Sequence, residues 1–272
     1  MNLGIVVGVG DVFVRIAILL ALAAGPFVVF ALIIHFLEHA IQRRLSLRFG
    51  WKSVLWTGWL GTPIHELSHV AMCYLFRHRI DELVLFEPDQ YSGRLGYVRH
   101  SFRRGNWFEE IGNVFIGIAP LIGGTMALAV LLWTFYPDAA VAAGDDSSAT
   151  GVITATFATA GAICNNILQW SHFGTFRFWV FLYLVLCVGS HMAPSSSDYA
   201  GAGRGAILLG LLLFVILLIV VVTVGDLDRL ASSVVDILSP VFALLTLAVV
   251  LCSIATLVVT LVLELVPNLL GR

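Results

Sequence analysis

Apolar residues run in long blocks along this chain rather than in short alternations. Asp11 to Ile41 is the first block, softly broken at Gly25-Pro26 and long enough to cross a bilayer with tilt or a kink. It closes on Gln42-Arg43-Arg44, and a basic connector leads to Lys52. Trp51 to Phe76 is the second block. Gly61-Thr62-Pro63 interrupts it, or opens a helix there with Thr62 as N-cap and Pro63 in the first turn. Trp107 to Tyr136 is the third, with Gly112, Gly117, Gly123 and Gly124 allowing close helix approach. Four further blocks follow: Val152 to Trp170, which is weakly hydrophobic and suits a re-entrant segment, then Phe176 to Met192, Ala206 to Val224 and Ser232 to Val266. The pattern predicts an all-α polytopic membrane protein of six or seven transmembrane helices, a single integral membrane domain over residues 1–272.

One stretch departs from this. Arg77 to Asn106 carries six arginines and four acids. Ile80 to Phe86 and Leu95 to Phe102 flank a turn-like Pro88-Asp89-Gln90-Tyr91-Ser92-Gly93, which predicts a small β-hairpin at the membrane surface, within residues 78–104; a plain solvated loop is the alternative. The connector Pro137 to Thr150 is acidic and free of Lys and Arg, so the positive-inside rule places Arg77 to Arg104 on the cytoplasmic side. The basic connector from Arg43 to Lys52 pulls the opposite way.

Composition agrees with the blocks. The chain is 59% hydrophobic and 12% charged, with mean hydropathy +0.96, whereas a soluble domain is about a quarter charged. A net charge of -2 gives no general attraction to nucleic acid. Met1 to Gly10 lacks the basic residues of a secretory signal, so an uncleaved first span is expected. Cys73, Cys164, Cys187 and Cys252 lie in apolar stretches without a Cys-x-x-Cys pair and read as free buried thiols. Gly201-Ala202-Gly203-Arg204-Gly205 follows no strand, and reads as helix packing rather than a nucleotide loop.

The candidate chemistry sits in the second block, at His65-Glu66-Leu67-Ser68-His69. Positions i and i+4 of a helix lie about 40° apart on one face. His65 and His69 can therefore turn two imidazoles toward one metal, with Glu66 beside them as general base. The plain alternative is a pair of histidines bonded to backbone carbonyls. A second, inverted pattern, His35-Phe36-Leu37-Glu38-His39, lies at the end of the first block beside arginines, where polar side chains are ordinary. A catalytic zinc takes three protein ligands and a water. Asp198 suits the third place: it sits in Pro194-Ser195-Ser196-Ser197-Asp198, a polar break between apolar runs, although serine and aspartate there also read as the cap of the next helix. Cys73, one turn past His69, reads as packing.

The motif in an apolar span, with an aspartate and a glycine where a later span begins, resembles the site-2-protease class of intramembrane zinc metalloproteases. Leu95-Gly96-Tyr97-Val98 and Gly112-Asn113-Val114-Phe115-Ile116-Gly117-Ile118-Ala119-Pro120 are similar to a bacterial branch of it, and the likeness spans residues 51–205. The resemblance implies zinc held by His65, His69 and Asp198, Glu66 as base, and a hairpin matching the family's membrane re-entrant element. It also implies a multi-pass protein of the bacterial inner membrane that cuts membrane-protein substrates. The family's Asn-Pro-x-Pro-x-Leu-Asp-Gly signature is missing, which leaves Asn113, Asn165 and Asn166 as candidates for positioning substrate. No PDZ or CBS module is present, so regulation falls to a membrane partner. Two other readings remain open: a transporter or scaffold with a His/Asp ion path, and a prenyl-protein-type zinc protease, which needs a glutamate as third ligand.

Overall fold

A computed structural model describes residues 9–139, 152–224 and 227–265. Helix α1 (Val9–Phe49) runs unbroken through Pro26 and through the expected basic connector, ending at Gly50, whose positive φ of 66° turns the chain. At about 1.5 Å per residue its 41 residues exceed a bilayer's hydrocarbon thickness. Helix α2 (Lys52–Leu75) returns beside it. Pro63 lies inside α2, so Thr62 and Pro63 neither interrupt nor cap it, contrary to both sequence expectations. Packing on both sides holds the helix across the one missing amide.

The polar stretch forms the expected hairpin, with β1 (Arg79–Val84) antiparallel to β2 (Tyr97–Ser101). Ile80 pairs with His100 and Val84 with Tyr97, with a register shift between Ile80 and Glu82. The third block is not one straight span. Helix α3 (Trp107–Gly117) and helix α4 (Ala119–Phe135) meet at Ile118 with a bend of 52°. Pro120, in the first turn of α4, has no amide to give the carbonyl of Ile116, and the helical ladder parts there. Asn106 opens α3 by accepting the amides of Phe108 and Glu109.

The remaining elements are α5 (Val152–Ile167), the single turn α6 (Trp170–Phe173), α7 (Phe176–Gly189), α8 (Ala202–Val224) and α9 (Leu227–Thr260), which ends in a π turn at Leu261–Leu265. The acidic connector lies mostly outside the described residues. Helix α9 packs along α1, α4, α5 and α7. Leu128, Leu132, Phe178, Phe181, Val185 and Leu251 are the fully enclosed side chains where these helices meet.

Three helices, α1, α8 and α9, are long and apolar enough to cross a membrane, and the bent pair α3–α4 makes up to four. Six or seven such helices are not found among the described residues, because α2 carries the polar site and α5 and α7 are short. Phe13, Val14, Ile18, Val28, Leu32 and Phe36 of α1 point outward and exposed. Lipid, rather than water, is the solvent such a surface suits. The glycines expected to admit close approach do so: a Cβ on Gly112 would meet Phe76, one on Gly123 would meet Ser68, and one on Gly124 would meet Met192. All four cysteines are free, and Cys73 is fully buried.

Candidate metal centre

Local helix geometry brings His65 and His69 to one face of α2, with ring centroids 4.9 Å apart. What orients the rings comes from other helices. His65 Nδ1 lies 2.8 Å from the carbonyl oxygen of His191, and His69 Nδ1 lies 2.8 Å from that of Ile116. A carbonyl only accepts, so each Nδ1 carries the proton and donates. In the neutral rings each Nε2 would offer its lone pair to a cation, the arrangement of a metal-ligating histidine. The Ile116 carbonyl is open to His69 because its helical donor would have been the amide of residue 120, a proline.

The two Nε2 atoms are 3.2 Å apart. Asp198 completes the triangle: Oδ2 is 3.5 Å from His65 Nε2 and Oδ1 is 3.3 Å from His69 Nε2. Two lone pairs and a carboxylate thus face one another, and a cation satisfies all three. Four-coordinate zinc holds N and O donors at about 2.0–2.2 Å, so neighbouring donors sit about 3.3–3.6 Å apart. The nitrogen–nitrogen distance of 3.2 Å and the two nitrogen–oxygen distances, one to each carboxylate oxygen, lie close to that size. Among the described residues, His65, His69 and Asp198 are the group that could hold a metal ion. Cys73 is not in it.

Asp198 caps no helix. It lies in the turn Ser195–Asp198, four residues before α8, and Oδ2 accepts both the amide of Ser195 at 2.6 Å and its hydroxyl at 2.8 Å. These bonds fix the carboxylate for the histidines. The turn nests on α3 at Gly117, where an added Cβ would lie 2.6 Å from the Asp198 carbonyl oxygen. On the other side, Gly61 lets α2 meet the backbone of Cys187 and the side chain of His191.

These groups line a cavity of about 510 Å³. Glu66 is 6% exposed, lines the cavity and makes no hydrogen bond to another described residue, so its carboxylate is free for a water or substrate. Of the three candidate asparagines, Asn113 is buried on α3 and lines the cavity. Asn165 and Asn166 lie on α5 and do not line it; Asn166 donates to the carbonyl of Ala162. The helix that carries those two, α5, packs against α9. One wall is the hairpin: Arg94 to His100 border the same space. There His78 donates from Nε2 to the Glu109 carbonyl, and the two Nδ1 atoms of His78 and His100 lie 3.0 Å apart. Burial, then neighbouring His78, pushes the His100 imidazole down to about 4.

The inverted motif divides. The rings of His35 and His39 lie 4.1 Å apart, tilted at 41°, and His39 Nδ1 donates to the carbonyl of His35, with no third ligand beside them among the described residues. Glu38 points elsewhere, into the cavity. His191 is the residue that sequence reasoning missed, and the roles of Glu38 and Ser195 were not legible in the motifs that contain them. The only signal available was their polarity inside or beside apolar runs. No protein-family profile, characterised protein or solved structure matches the chain.

Proposed function

We propose that this chain is an intramembrane zinc metalloprotease, which hydrolyses peptide bonds in or near the membrane-spanning segments of other membrane proteins. The observation that carries the reading is the meeting of His65, His69 and Asp198, with Glu66 beside them, in a cavity bounded by a strand. A purely structural histidine pair would not require a carboxylate brought from a distant loop and locked by Ser195.

In this reading His65, His69 and Asp198 hold zinc. When bound, zinc supplies a Lewis acid that lowers the pKa of a coordinated water to about 7. Glu66 takes a proton from the attacking water and returns it to the departing amine as the peptide C–N bond breaks. Asn113 positions the substrate backbone. A membrane helix hides its amides in its own hydrogen bonds, so the cleaved segment is first unwound. Strand β2 pairs with β1 on one side only, and its residues border the cavity. That open edge receives the unwound segment by strand addition. Helices α2, α5 and α7 lie within the membrane with α1, α8 and α9, giving the multi-pass arrangement of a bacterial inner-membrane protein, and a membrane partner regulates access.

The test is Glu66→Gln in a cleavage assay on a panel of single-span substrates in bilayers, with zinc measured in the same samples. Turnover falls at least about 100-fold, the usual worth of a general base, while zinc content stays unchanged. Equal turnover in parent and variant refutes the mechanism. A scaffold or ion path would leave Glu66 as replaceable as any neighbouring polar residue.

A further inference from the structure

Glu38 is a carboxylate on a long apolar helix, yet it is only 9% exposed and faces the cavity rather than lipid or water. Burial of a carboxylate is costly unless its oxygens are bonded. Both are. Oε2 accepts the amide of Ala193 at 2.7 Å, and Oε1 accepts Nε2 of Gln42, one turn on, at 3.0 Å. Gln42 Nε2 also donates to the carbonyl of Ser190. Two side chains of α1 therefore grip both ends of the turn Ser190–Ala193, where α7 has just ended at Gly189. That turn carries the His191 carbonyl that orients His65. It also leads, through Pro194, into the Ser195–Asp198 turn that supplies the third candidate ligand.

We propose that Glu38 is a positioning residue of the metal centre: with Gln42 it clamps the Ser190–Ala193 turn, and so sets both the ring of His65 and the placement of Asp198. This rests on the metal centre assigned above, but not on the reaction it serves. It also accounts for the inverted motif, whose histidines face away while its glutamate faces inward. On a helix Glu38 is about 100° from His39 and about 60° from His35, so one motif can serve two faces. A bond to the orienting shell of a metal site is typically worth about 10- to 100-fold in metal affinity.

The experiment uses the full chain in detergent, loaded with Zn²⁺ or with Co²⁺. Metal affinity is measured by chelator competition, and site geometry by the cobalt visible spectrum. Glu38→Ala binds metal about 10- to 100-fold more weakly, with a changed cobalt spectrum. Glu38→Gln keeps one oxygen for the Ala193 amide but turns an NH2 toward the Gln42 NH2, so its affinity falls between those of the parent and Glu38→Ala. Parent affinity and spectrum in Glu38→Ala overturn the proposal. So does a Glu38→Gln variant as impaired as Glu38→Ala, because the retained bond to the Ala193 amide would then hold nothing in place. If Glu38→Ala does not fold, Glu38→Gln is compared with Gln42→Ala on the same readouts. Weakened binding in both Gln42→Ala and Glu38→Gln supports the clamp, and parent affinity in either overturns it. Failure of the underlying metal assignment looks different: the parent itself binds no metal, or binds it unchanged in His65→Ala.

Discussion

Gly117→Ala tests whether the metal centre depends on the close contact between α3 and the Asp198 turn. The added methyl would sit 2.6 Å from the Asp198 carbonyl oxygen, a backbone atom with no rotamer to escape into. Carbon–oxygen contacts in proteins settle at about 3.3–3.6 Å, so the turn retreats by roughly 0.7 Å. Metal–ligand distances tolerate only about ±0.2 Å. Asp198 then either leaves the ion or keeps it while the turn is strained, and overpacking of this kind costs about 1–3 kcal/mol. At about 1.4 kcal/mol per tenfold, the middle of that range weakens metal binding by about 10- to 100-fold. The helix itself gains, since alanine is a better helix former than glycine, so a loss of metal affinity is not a loss of α3. Affinity is measured by chelator competition on the purified chain, beside its thermal unfolding in the metal-free state. Parent affinity in a folded Gly117→Ala protein refutes the argument, because Asp198 would then not need this contact to reach the histidines.

Other expectations are equally direct. The purified chain carries about one zinc, and His65→Ala, His69→Ala and Asp198→Ala each remove most of it, as elemental analysis would show; full occupancy in Asp198→Ala eliminates the third ligand. Joint replacement of His35 and His39 by alanine leaves zinc content unchanged, because their rings have no third ligand beside them among the described residues. Asn113→Ala lowers kcat/KM for a cleaved substrate by about tenfold, the worth of one good hydrogen bond, whereas Asn165→Ala and Asn166→Ala leave it unaltered.

The pattern of apolar runs determined much of this molecule. Blocks of Leu, Val, Ile and Ala foretold α1, α8 and α9, and the Pro88–Gly93 turn with its flanking residues foretold the hairpin. The His65–His69 pair was legible too, since two side chains four apart on a helix meet by backbone geometry alone. Where local rules competed, the sequence misled. Pro63 reads as a break or as the first turn of a helix, yet α2 passes through it, while Pro120 bends the third block, which reads as one span. Proline removes one bond in both cases, and only the surrounding packing settles whether the helix continues. Asn113, Asn165 and Asn166 were indistinguishable as letters, and the packing of α3 rather than α5 against α2 separated them. The tertiary structure alone decided that the carbonyls of Ile116 and His191 set the imidazole tautomers, that Ser195 locks Asp198, and that Glu38 turns inward. Periodicity acts over a few residues and is written in side-chain spacing. Meetings between helices depend on which small residues admit which neighbours, and a glycine in the sequence shows that something comes close without showing what.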